Sequence, residues 1–340
     1  MRDLLIAGGG PVGLATALYA ARAGLDVAVR EPRAGSIDKA CGEGLMPGAL
    51  AALRDLGVDP AGHELRGIRY VDRSREVEAA FRHGPGRGVR RTVLHDALRA
   101  AVDAAGVPVE QRPVRTVGLR ADHVSVDGEP VRHLVAADGL HSPLRRMLGL
   151  DVTATTTRRY GLRCHVDVAP WTAFVEVHWS PVGEAYVTPV ADDRVGVAVL
   201  STVRRPLPDL LSSFPRLLAH LDDAPVGAVR GAGPLRQRAR RRVVGRVLLV
   251  GDAAGYVDAL TGEGIAVGLA QARAAVEAVR SGRPAGYEAA WQRITRRHDL
   301  MTASLLAATR RPALRRRIVP AAAALPRAFD AAVNALASPA

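Results

Sequence analysis

The fold is decided by residues 4–13, LLIAGGGPVG, and by the chain that follows them. The apolar run 4–7 predicts a short buried strand. The stretch LATALYAARAG (14–24) predicts a helix, because its apolar residues recur at helical spacing and Gly24 is a natural helix stop. A second apolar strand, LDVAVRE (25–31), comes next. Strand, glycine-rich turn, helix and strand together predict a βαβ unit with parallel strands.

The glycines of this unit are spaced Gly8-x-Gly10-x-x-Gly13, and the second strand ends at Glu31. Gly8 permits the tight turn, Gly10 lets a pyrophosphate approach the backbone, and Gly13 lets the helix pack close to the strand. The helix N-terminus offers free N–H groups to phosphates, and the carboxylate of Glu31 would accept hydrogen bonds from a ribose diol. We therefore expect a dinucleotide site. The alternative is a glycine-rich turn without a ligand.

The composition is that of a globular protein with a substantial core, since 48% of the 340 residues are hydrophobic and 24% are charged. No apolar run reaches the roughly 18 residues of a membrane-spanning helix. Cys41 and Cys164 lie far apart in the sequence, which argues against a disulfide framework or a zinc motif. The net charge of +13 comes almost entirely from scattered arginines. We expect a cytoplasmic protein with no metal site and no nucleic-acid partner.

Two later segments of the chain differ in residue pattern from the βαβ unit. Short alternating runs between about 152 and 204, broken by Pro, Gly and Asp, predict an antiparallel sheet. The last 55 residues are rich in Ala and Arg and predict helices with breaks at Pro312, Pro320 and Pro326. Further helical elements are predicted at 47–58, at 89–107, after a strand within 133–150, and after a strand within 244–282.

The segment RVLLVGDAAGYVDALTGEGIAVGLAQA (246–272) resembles the second flavin-binding motif of the glutathione-reductase-type FAD enzymes. Within that superfamily it is similar to the branch of aromatic hydroxylases (group A flavin monooxygenases), halogenases and geranylgeranyl reductases. VAADGLHSPLRRMLGL (135–150) resembles the third motif of the branch, and RRTVLHDAL (90–98) resembles the start of its long helix. The resemblance implies FAD as the cofactor and NAD(P)H as the expected electron donor.

Residues for the cofactor follow from these motifs. The resemblance implies that Asp252 lies by the ribityl and pyrophosphate part of FAD, and that the glycines after it begin a helix facing the flavin O2 and N1 region. The full expected set is Gly8, Gly10, Gly13, Glu31, Arg33, Lys39, Arg91, Asp138, Asp252, Gly262, Gly264 and Ile265.

The resemblance also implies the fold class. We expect an α/β protein in which a Rossmann-like FAD-binding domain, built on a central parallel sheet, carries an inserted, mainly antiparallel substrate domain and a helical C-terminus. The expected FAD-binding domain comprises 1–70, 88–150 and 243–285, and the expected substrate domain comprises 71–87 and 151–242. Residues 286–340 form the C-terminal helical segment.

The reaction is less specified than the cofactor. The loop CGEGL (41–45) resembles that of the geranylgeranyl reductases, which reduce C=C bonds in prenyl or polyene substrates. The aromatic-Gly-Trp segment of those reductases is missing, however, and Ala259 replaces the usual proline of the branch. On these grounds we favour an NAD(P)H-using monooxygenase that hydroxylates a lipophilic aromatic or polyketide-like molecule through a flavin hydroperoxide. A non-catalytic flavin-binding protein is a further alternative.

The candidates for catalysis are polar residues near the expected flavin ring. Gly42 and Gly44 suggest a backbone that approaches a flat ring. The residues proposed to act on the substrate are Cys41, His178, Tyr186 and Glu263, with His165 as a further proton donor. For each of them, an inert thiol or an ordinary core or surface polar residue is the alternative interpretation.

The C-terminal stretch RRPALRRRIVPAAAALPRAFDAAVNAL (310–336) mixes arginines with apolar residues. Such a pattern is compatible with peripheral contact to an anionic membrane or with a cap over a lipophilic pocket. Packed helices with a solvated basic face are the alternative.

Overall fold

A computed structural model describes residues 1–152, 158–221 and 224–338. The helices are α1 Pro11–Arg22, α2 Pro47–Asp55, α3 Arg91–Ala104, α4 Pro143–Met147, α5 Leu207–Leu211, α6 Pro215–Leu221, α7 Gly264–Arg280, α8 Gly286–Thr309, α9 Pro312–Arg315, α10 Ile318–Ala324 and α11 Pro326–Ala337. The strands are β1 Arg2–Ala7, β2 Val27–Arg30, β3 Gly44–Leu45, β4 His63–Leu65, β5 Gly67–Val71, β6 Glu76–Ala80, β7 Gly86–Gly88, β8 Val109–Glu110, β9 Val117–Leu119, β10 Val124–Val126, β11 Glu129–Ala136, β12 Tyr160–Val166, β13 Phe174–Ser180, β14 Gly183–Ala191, β15 Arg194–Ser201, β16 Arg230–Ala232, β17 Gln237–Arg238, β18 Val243–Val244, β19 Val247–Leu249 and β20 Gly255–Tyr256.

The N-terminal βαβ unit lies at the centre of an eight-stranded sheet with the order β18-β19-β11-β1-β2-β8, to which β10 and β9 are added at β11. Strand β1 is parallel to β11 and β2, and β19 and β8 continue the parallel set. Leu4, Leu5 and Ile6 are fully buried, as expected for a parallel strand covered on both faces. Helices α3 and α7 both pack against α1, so the predicted α/β fold class is confirmed.

A second, seven-stranded sheet has the order β16-β12-β15-β14-β13-β5-β6. The alternating runs between 152 and 204 form its strands β12 to β15, which pair antiparallel as predicted. Strand β5 joins this sheet as the parallel neighbour of β13. Residues 67–70 therefore pair within the substrate sheet, although the predicted boundary placed them with the FAD-binding domain.

The C-terminal helices cover one edge of the substrate sheet. Helix α11 packs Phe329 and Val333 beside Ala79 of the edge strand β6, and the Asn334 side-chain amide donates to the Ala80 carbonyl at 2.9 Å. The predicted helix breaks at Pro312 and Pro326 are found, because these residues begin α9 and α11.

The predicted break at Pro320 was wrong, since Pro320 lies in the first turn of α10. Proline is tolerated there, because the N–H groups of a first turn have no partner within the helix. Among the residues that the structure describes, no helix is long and apolar enough to cross a membrane.

Candidate active site

The glycine turn after β1 is shaped by close backbone approaches. Gly8 has φ +110°, and a Cβ placed there would lie 2.4 Å from the Ala137 carbonyl oxygen. A Cβ at Gly13 would lie 1.9 Å from the Gly8 carbonyl oxygen. A Cβ at Gly10 meets only the Arg91 guanidinium, at 3.9 Å, and Gly10 lines a cavity. Two of the three glycines therefore hold the turn together, and the third leaves room for a ligand.

Glu31 closes the turn from behind. Its carboxylate accepts a hydrogen bond from the Gly9 N–H at 2.8 Å and from Arg33 Nε at 2.7 Å. Burial alone would raise the pKa of Glu31, but the hydrogen bonds from Arg33 and Gly9 outweigh it and bring this pKa below its usual range. The carboxylate is therefore ionised and stabilises the turn. The Arg33 side chain, which covers this carboxylate, is itself about half exposed.

A cavity of about 260 Å³ lies between the two sheets and opens into solvent. Most of the residues predicted to bind the cofactor or act in catalysis meet in its wall. These are Gly10, Arg33, Lys39, Cys41, Arg91, Asp138, Tyr186, Asp252, Gly262, Gly264 and Ile265. Gly8, Gly13 and Glu31 lie just behind the wall, at the positions described above.

The cavity has a charged side and an apolar side. Lys39, Arg33 and Arg91 line it near the glycine turn, together with Asp252. Partial desolvation and the nearby Arg33 and Arg91 lower the pKa of Lys39, while burial raises the pKa of Asp252 against the attraction of Arg91 and Lys39. Within the described residues, the buried Nε of Arg91 has no hydrogen-bond partner. This cluster of cations suits a diphosphate.

Apart from Arg163 on β12, the substrate sheet supplies the apolar side. Side chains from β5, β13, β14, β15 and α11 line the cavity there. Their only polar groups are the hydroxyls of two tyrosines and one threonine. They are Ile68, Tyr70, Val175, Val177, Tyr186, Thr188, Ala198, Leu200, Val333 and Leu336.

The turn 251–254, which follows β19, is fixed by two buried side chains. The Gly251 N–H donates to Gln271 Oε1 at 2.7 Å. Arg145, only 1% exposed, donates to the carbonyl oxygens of Asp252 and Ala253 at 3.3 and 3.1 Å. Arg145 thus positions the Asp252 backbone without touching the cavity.

Helix α7 begins at the cavity wall. Gly262 has φ +72°, and Gly264 and Ile265, which form the first turn of α7, line the cavity. The loop before the helix is held by the Tyr186 hydroxyl, which donates to the Leu260 carbonyl at 2.8 Å. The N-terminal end of α7, where the helix dipole is positive, therefore borders the cavity.

Asp138 has a supporting position in this wall. Its carboxylate accepts hydrogen bonds from the Ser142 hydroxyl at 2.5 Å and from the Leu144 N–H at 3.0 Å. Both oxygens are thereby engaged at the N-terminus of α4, so Asp138 shapes the cavity wall by holding α4 rather than by presenting a free carboxylate.

Two predicted catalytic residues do not reach the cavity. His178 is buried, and its Nε2 lies 2.9 Å from Glu176 Oε2. Val175 and Val177 of the same strand line the cavity, so 176 and 178 face the opposite side of the sheet. Glu263 turns to α8, where its carboxylate lies 2.7 Å from His298 Nδ1. Strand and helix geometry point both residues away from the cavity, so the structure does not bring them together with the other predicted site residues.

Cys41 and Tyr186, in contrast, line the cavity. Cys41 Sγ accepts a long hydrogen bond of 3.5 Å from the Glu43 N–H. Loss of solvent raises the pKa of the Cys41 thiol and raises that of Tyr186. Both groups are therefore protonated at neutral pH. His165 does not line the cavity but bonds a residue that does, Glu43, at 2.7 Å.

Comparison with known proteins identifies the family. Residues 1–206 match the family described as an FAD binding domain. The chain belongs to this family of FAD-dependent oxidoreductases. The menaquinone reductase of Mycolicibacterium smegmatis is 32% identical over 331 residues, which cover 87% of this chain and 80% of that protein. Digeranylgeranylglycerophospholipid reductase 2 of Methanopyrus kandleri is 29% identical over 310 residues, covering 81% of this chain and 76% of that protein.

Among solved structures, p-nitrophenol 4-monooxygenase PnpA from Pseudomonas putida superposes with a TM-score of 0.80 at 19% identity, covering 99% of this chain and 95% of that one. At that identity the likeness shows the fold alone. The predicted resemblance to the branch of geranylgeranyl reductases, aromatic hydroxylases and halogenases is confirmed, and so is the prediction that the protein is an enzyme.

The cavity fits FAD. Gly10 leaves the space that a pyrophosphate needs, Arg91 has a buried donor without a partner among the described residues, and Lys39 adds a second cation. Glu31 lies at the end of β2, where a ribose is bound in this fold. The α7 N-terminus offers its dipole to the flavin end. When bound, FAD supplies two-electron redox chemistry.

Proposed function

We propose that this protein reduces carbon–carbon double bonds in a lipophilic molecule that carries a polyprenyl chain, with FAD as its cofactor. The observation that carries the proposal is the apolar wall of the cavity, formed by side chains such as Val177, Leu200 and Leu336. A polyprenyl chain offers methyl and methylene groups and no hydrogen-bonding groups, so it matches such a wall. The sequence relatives are named reductases of menaquinone and of digeranylgeranylglycerophospholipid, and both of these molecules carry polyprenyl chains.

The chain has to provide a proton for this reaction, because reduction of a C=C bond adds two electrons and two protons. Both cavity-lining residues that the sequence proposed for catalysis, Cys41 and Tyr186, hold a proton at neutral pH. The Tyr186 hydroxyl already donates its proton to the Leu260 carbonyl. The Cys41 sulfur instead accepts a hydrogen bond from Glu43, so its own proton is free to point into the cavity. Cys41 is therefore the better candidate for the proton donor.

The test is to reduce the purified yellow protein without oxygen and to add a polyprenyl quinone. We expect the anaerobic reaction to add two hydrogens to the polyprenyl chain, which mass spectrometry shows once any quinol has been chemically reoxidised to the quinone. Cys41→Ser should slow this step, because the serine hydroxyl is a far weaker acid. A substrate that gains one oxygen atom, and only in air, would contradict the proposal.

The second candidate is hydroxylation of a lipophilic aromatic or polyketide-like molecule, which we favoured on sequence alone. The observation in its favour is the presence of Tyr70, Tyr186 and Tyr256 in the cavity wall, because aromatic side chains pack well against aromatic substrates. The same anaerobic experiment, repeated with phenolic compounds and then aerated, distinguishes the two reactions. A colourless protein that takes up no FAD would contradict both.

We infer that the electron donor is NAD(P)H and that it docks in a basic groove beside the cavity. The groove is lined by Arg146, Arg204 and Arg205 and shares Asp138 and Asp252 with the cavity wall. Guanidinium groups suit the phosphates of a dinucleotide, and the shared wall gives the donor a path to the cofactor. Oxidation of NADPH in the presence of excess polyprenyl quinone measures whether NADPH is the electron donor.

We also propose that the C-terminal segment contacts an anionic membrane while its substrate enters. Arg316, Arg317 and Arg327 are exposed beside the exposed Leu314 and Leu325, which combines charge and apolar surface. Helix α11 also contributes Val333 and Leu336 to the cavity. Truncation would remove these two side chains from the cavity wall, so the cleaner test is the substitution Leu325→Glu. We expect this variant to lose binding to vesicles with anionic lipid and to keep its FAD. Equal vesicle binding by the wild-type protein and Leu325→Glu would contradict the proposal.

A further inference from the structure

Glu43, in the loop after the second strand, has an unusual backbone. Its φ is +60°, a region that residues other than glycine rarely adopt. In the part of the chain that the structure describes, Asp127 is the other non-glycine residue with positive φ. Asp127 lies in the tight turn between β10 and β11, followed by Gly128, where such conformations are common. Glu43 has no hairpin of that kind to explain it.

The Glu43 side chain joins the two halves of the cavity. It is only 4% exposed. One carboxylate oxygen accepts the N–H of Arg91, the first residue of α3, at 2.8 Å. The other lies 2.7 Å from His165 Nε2, on strand β12 of the substrate sheet. A single buried carboxylate thus links the FAD-binding half to the substrate sheet.

The second link is oriented by Arg163. Its guanidinium approaches His165 Nδ1 at 3.3 Å, and a guanidinium can only donate. Nδ1 is therefore the acceptor, and Nε2 carries the hydrogen that it donates to Glu43. Arg163 also donates to the Lys39 carbonyl at 3.2 Å and pairs with Asp38. The loop is tied to β12 on both sides of Cys41.

The backbone around Glu43 is held as firmly as its side chain. The Glu43 carbonyl accepts the Val89 N–H at 2.8 Å, and the Thr188 hydroxyl donates to the Gly42 carbonyl at 2.8 Å. The Glu43 N–H points at Cys41 Sγ. The N–H, the carbonyl and the carboxylate of Glu43 are thus all engaged, and the Cys41 thiol is left in the cavity wall.

We propose that Glu43 is a positioning residue whose carboxylate holds residues 41–45 in the shape that presents Cys41 to the flavin cavity. The role concerns the cavity wall and does not depend on whether the reaction is reduction or hydroxylation. The strained backbone is stable because contacts from α3, β12 and β14 surround it.

The decisive experiment uses the two thiols of the full-length protein. Cys164 is fully buried in β12 and serves as the internal control for unfolding. Alkylation of Cys41 by iodoacetamide is followed by mass spectrometry, and FAD affinity by quenching of flavin fluorescence. Glu43→Gly removes the carboxylate and keeps the backbone conformation, because glycine readily adopts a positive φ. We expect Cys41 to react at least about fivefold faster and FAD to bind about tenfold more weakly, while Cys164 stays unmodified.

Asp127→Gly is the matched control, because it makes the same backbone change where a carboxylate also accepts backbone N–H groups, from Arg115 and Thr116. We expect wild-type labelling and FAD affinity for it. His165→Ala removes one link only, because alanine has no donor for the Glu43 carboxylate, and it provides a second variant if Glu43→Gly does not fold. A rise in the Cys41 labelling rate of the His165 variant that is smaller than the rise in Glu43→Gly supports the proposal. Labelling of Cys41 that is unchanged or slower in the Glu43 or His165 variant would overturn it, as would an equal change in Asp127→Gly.

Discussion

On the FAD-binding side the cavity wall is largely backbone, whereas on the substrate side it is made of apolar side chains. Gly10, Gly262 and Gly264 bring main chain to the surface of the cavity, and Val177 and Leu200 face them from the other sheet. A Cβ added at these glycines would project toward the ligand, so a wall of backbone suits one ligand. A wall of side chains changes shape with each substitution. This difference explains how one fold retains FAD while its relatives carry the names of different substrates.

The largest expected effect is on the backbone side, at Gly13. A Cβ there would overlap the Gly8 carbonyl oxygen, so we expect Gly13→Ala to destabilise the protein by about 3 kcal/mol and to abolish FAD binding. Gly10→Ala is the matched control, because its Cβ meets open space. We expect its thermal unfolding to be unchanged and its FAD affinity to fall. If both variants unfold alike, the two glycines do not have separate roles.

The backbone side was also the one that could be predicted from the sequence. Glycine spacing follows from steric clashes within one βαβ unit, so the positions of Gly8, Gly10 and Gly13 are local properties. Which face of a strand lines a cavity is not local. Val177 and His178 are neighbours in one alternating run, and only the packing of the second sheet decides that Val177 faces the cavity.

Glu43 was missed for a related reason. Its role depends on His165 and Arg91, which come from distant parts of the chain, and nothing in CGEGL indicates a left-handed residue at a non-glycine position. Glu263 shows the converse. It sits between two glycines of the flavin motif, yet its side chain turns to His298 of α8, a contact that no motif encodes.

The junction of the two sides contains an excess of buried negative charge. Asp258, in the loop before α7, and Glu184 of β14 share the buried Arg159. Burial raises the pKa of Asp258 to about 6, although Arg159 opposes this. Since the unfolded value is near 3.9, the folded state binds the extra proton between about pH 4 and 6. Folding stability therefore falls as the pH rises through this range.

At pH 7, keeping Asp258 ionised costs up to about 3 kcal/mol. We expect Asp258→Asn to stabilise the protein by roughly 2 kcal/mol at pH 7, because it leaves Arg159 and Glu184 as a balanced pair. We also expect it to flatten the pH dependence of chemical denaturation between pH 4 and 6. Glu184→Gln offers the comparison from the sheet side. A loss of stability in Asp258→Asn at pH 7 would show that the loop depends on the charge.

The substrate side is tested by two adjacent residues of β13 that face opposite ways. Val177→Ala removes methyl groups from the cavity wall, and we expect it to raise the KM for a polyprenyl substrate about tenfold with FAD affinity unchanged. His178→Gln keeps a hydrogen-bonding group toward Glu176 and should leave KM as it is. If His178→Gln raises KM and Val177→Ala does not, the assignment of the two faces is wrong.

The smallest expected effect belongs to the basic groove, because its arginines are exposed and salt screens them. Arg204 stacks over the Tyr160 ring, with its guanidinium carbon 4.8 Å from the ring centroid, so its charge is held at the groove. We expect Arg204→Ala to raise the KM for NADPH about threefold at low salt and less at 0.5 M salt, with the KM for the lipophilic substrate unchanged. Arg66→Ala is the control, since Arg66 is an exposed arginine that lines neither the cavity nor the groove. An equal effect of both variants would indicate a general attraction of the +13 chain for the anionic donor and no dedicated groove.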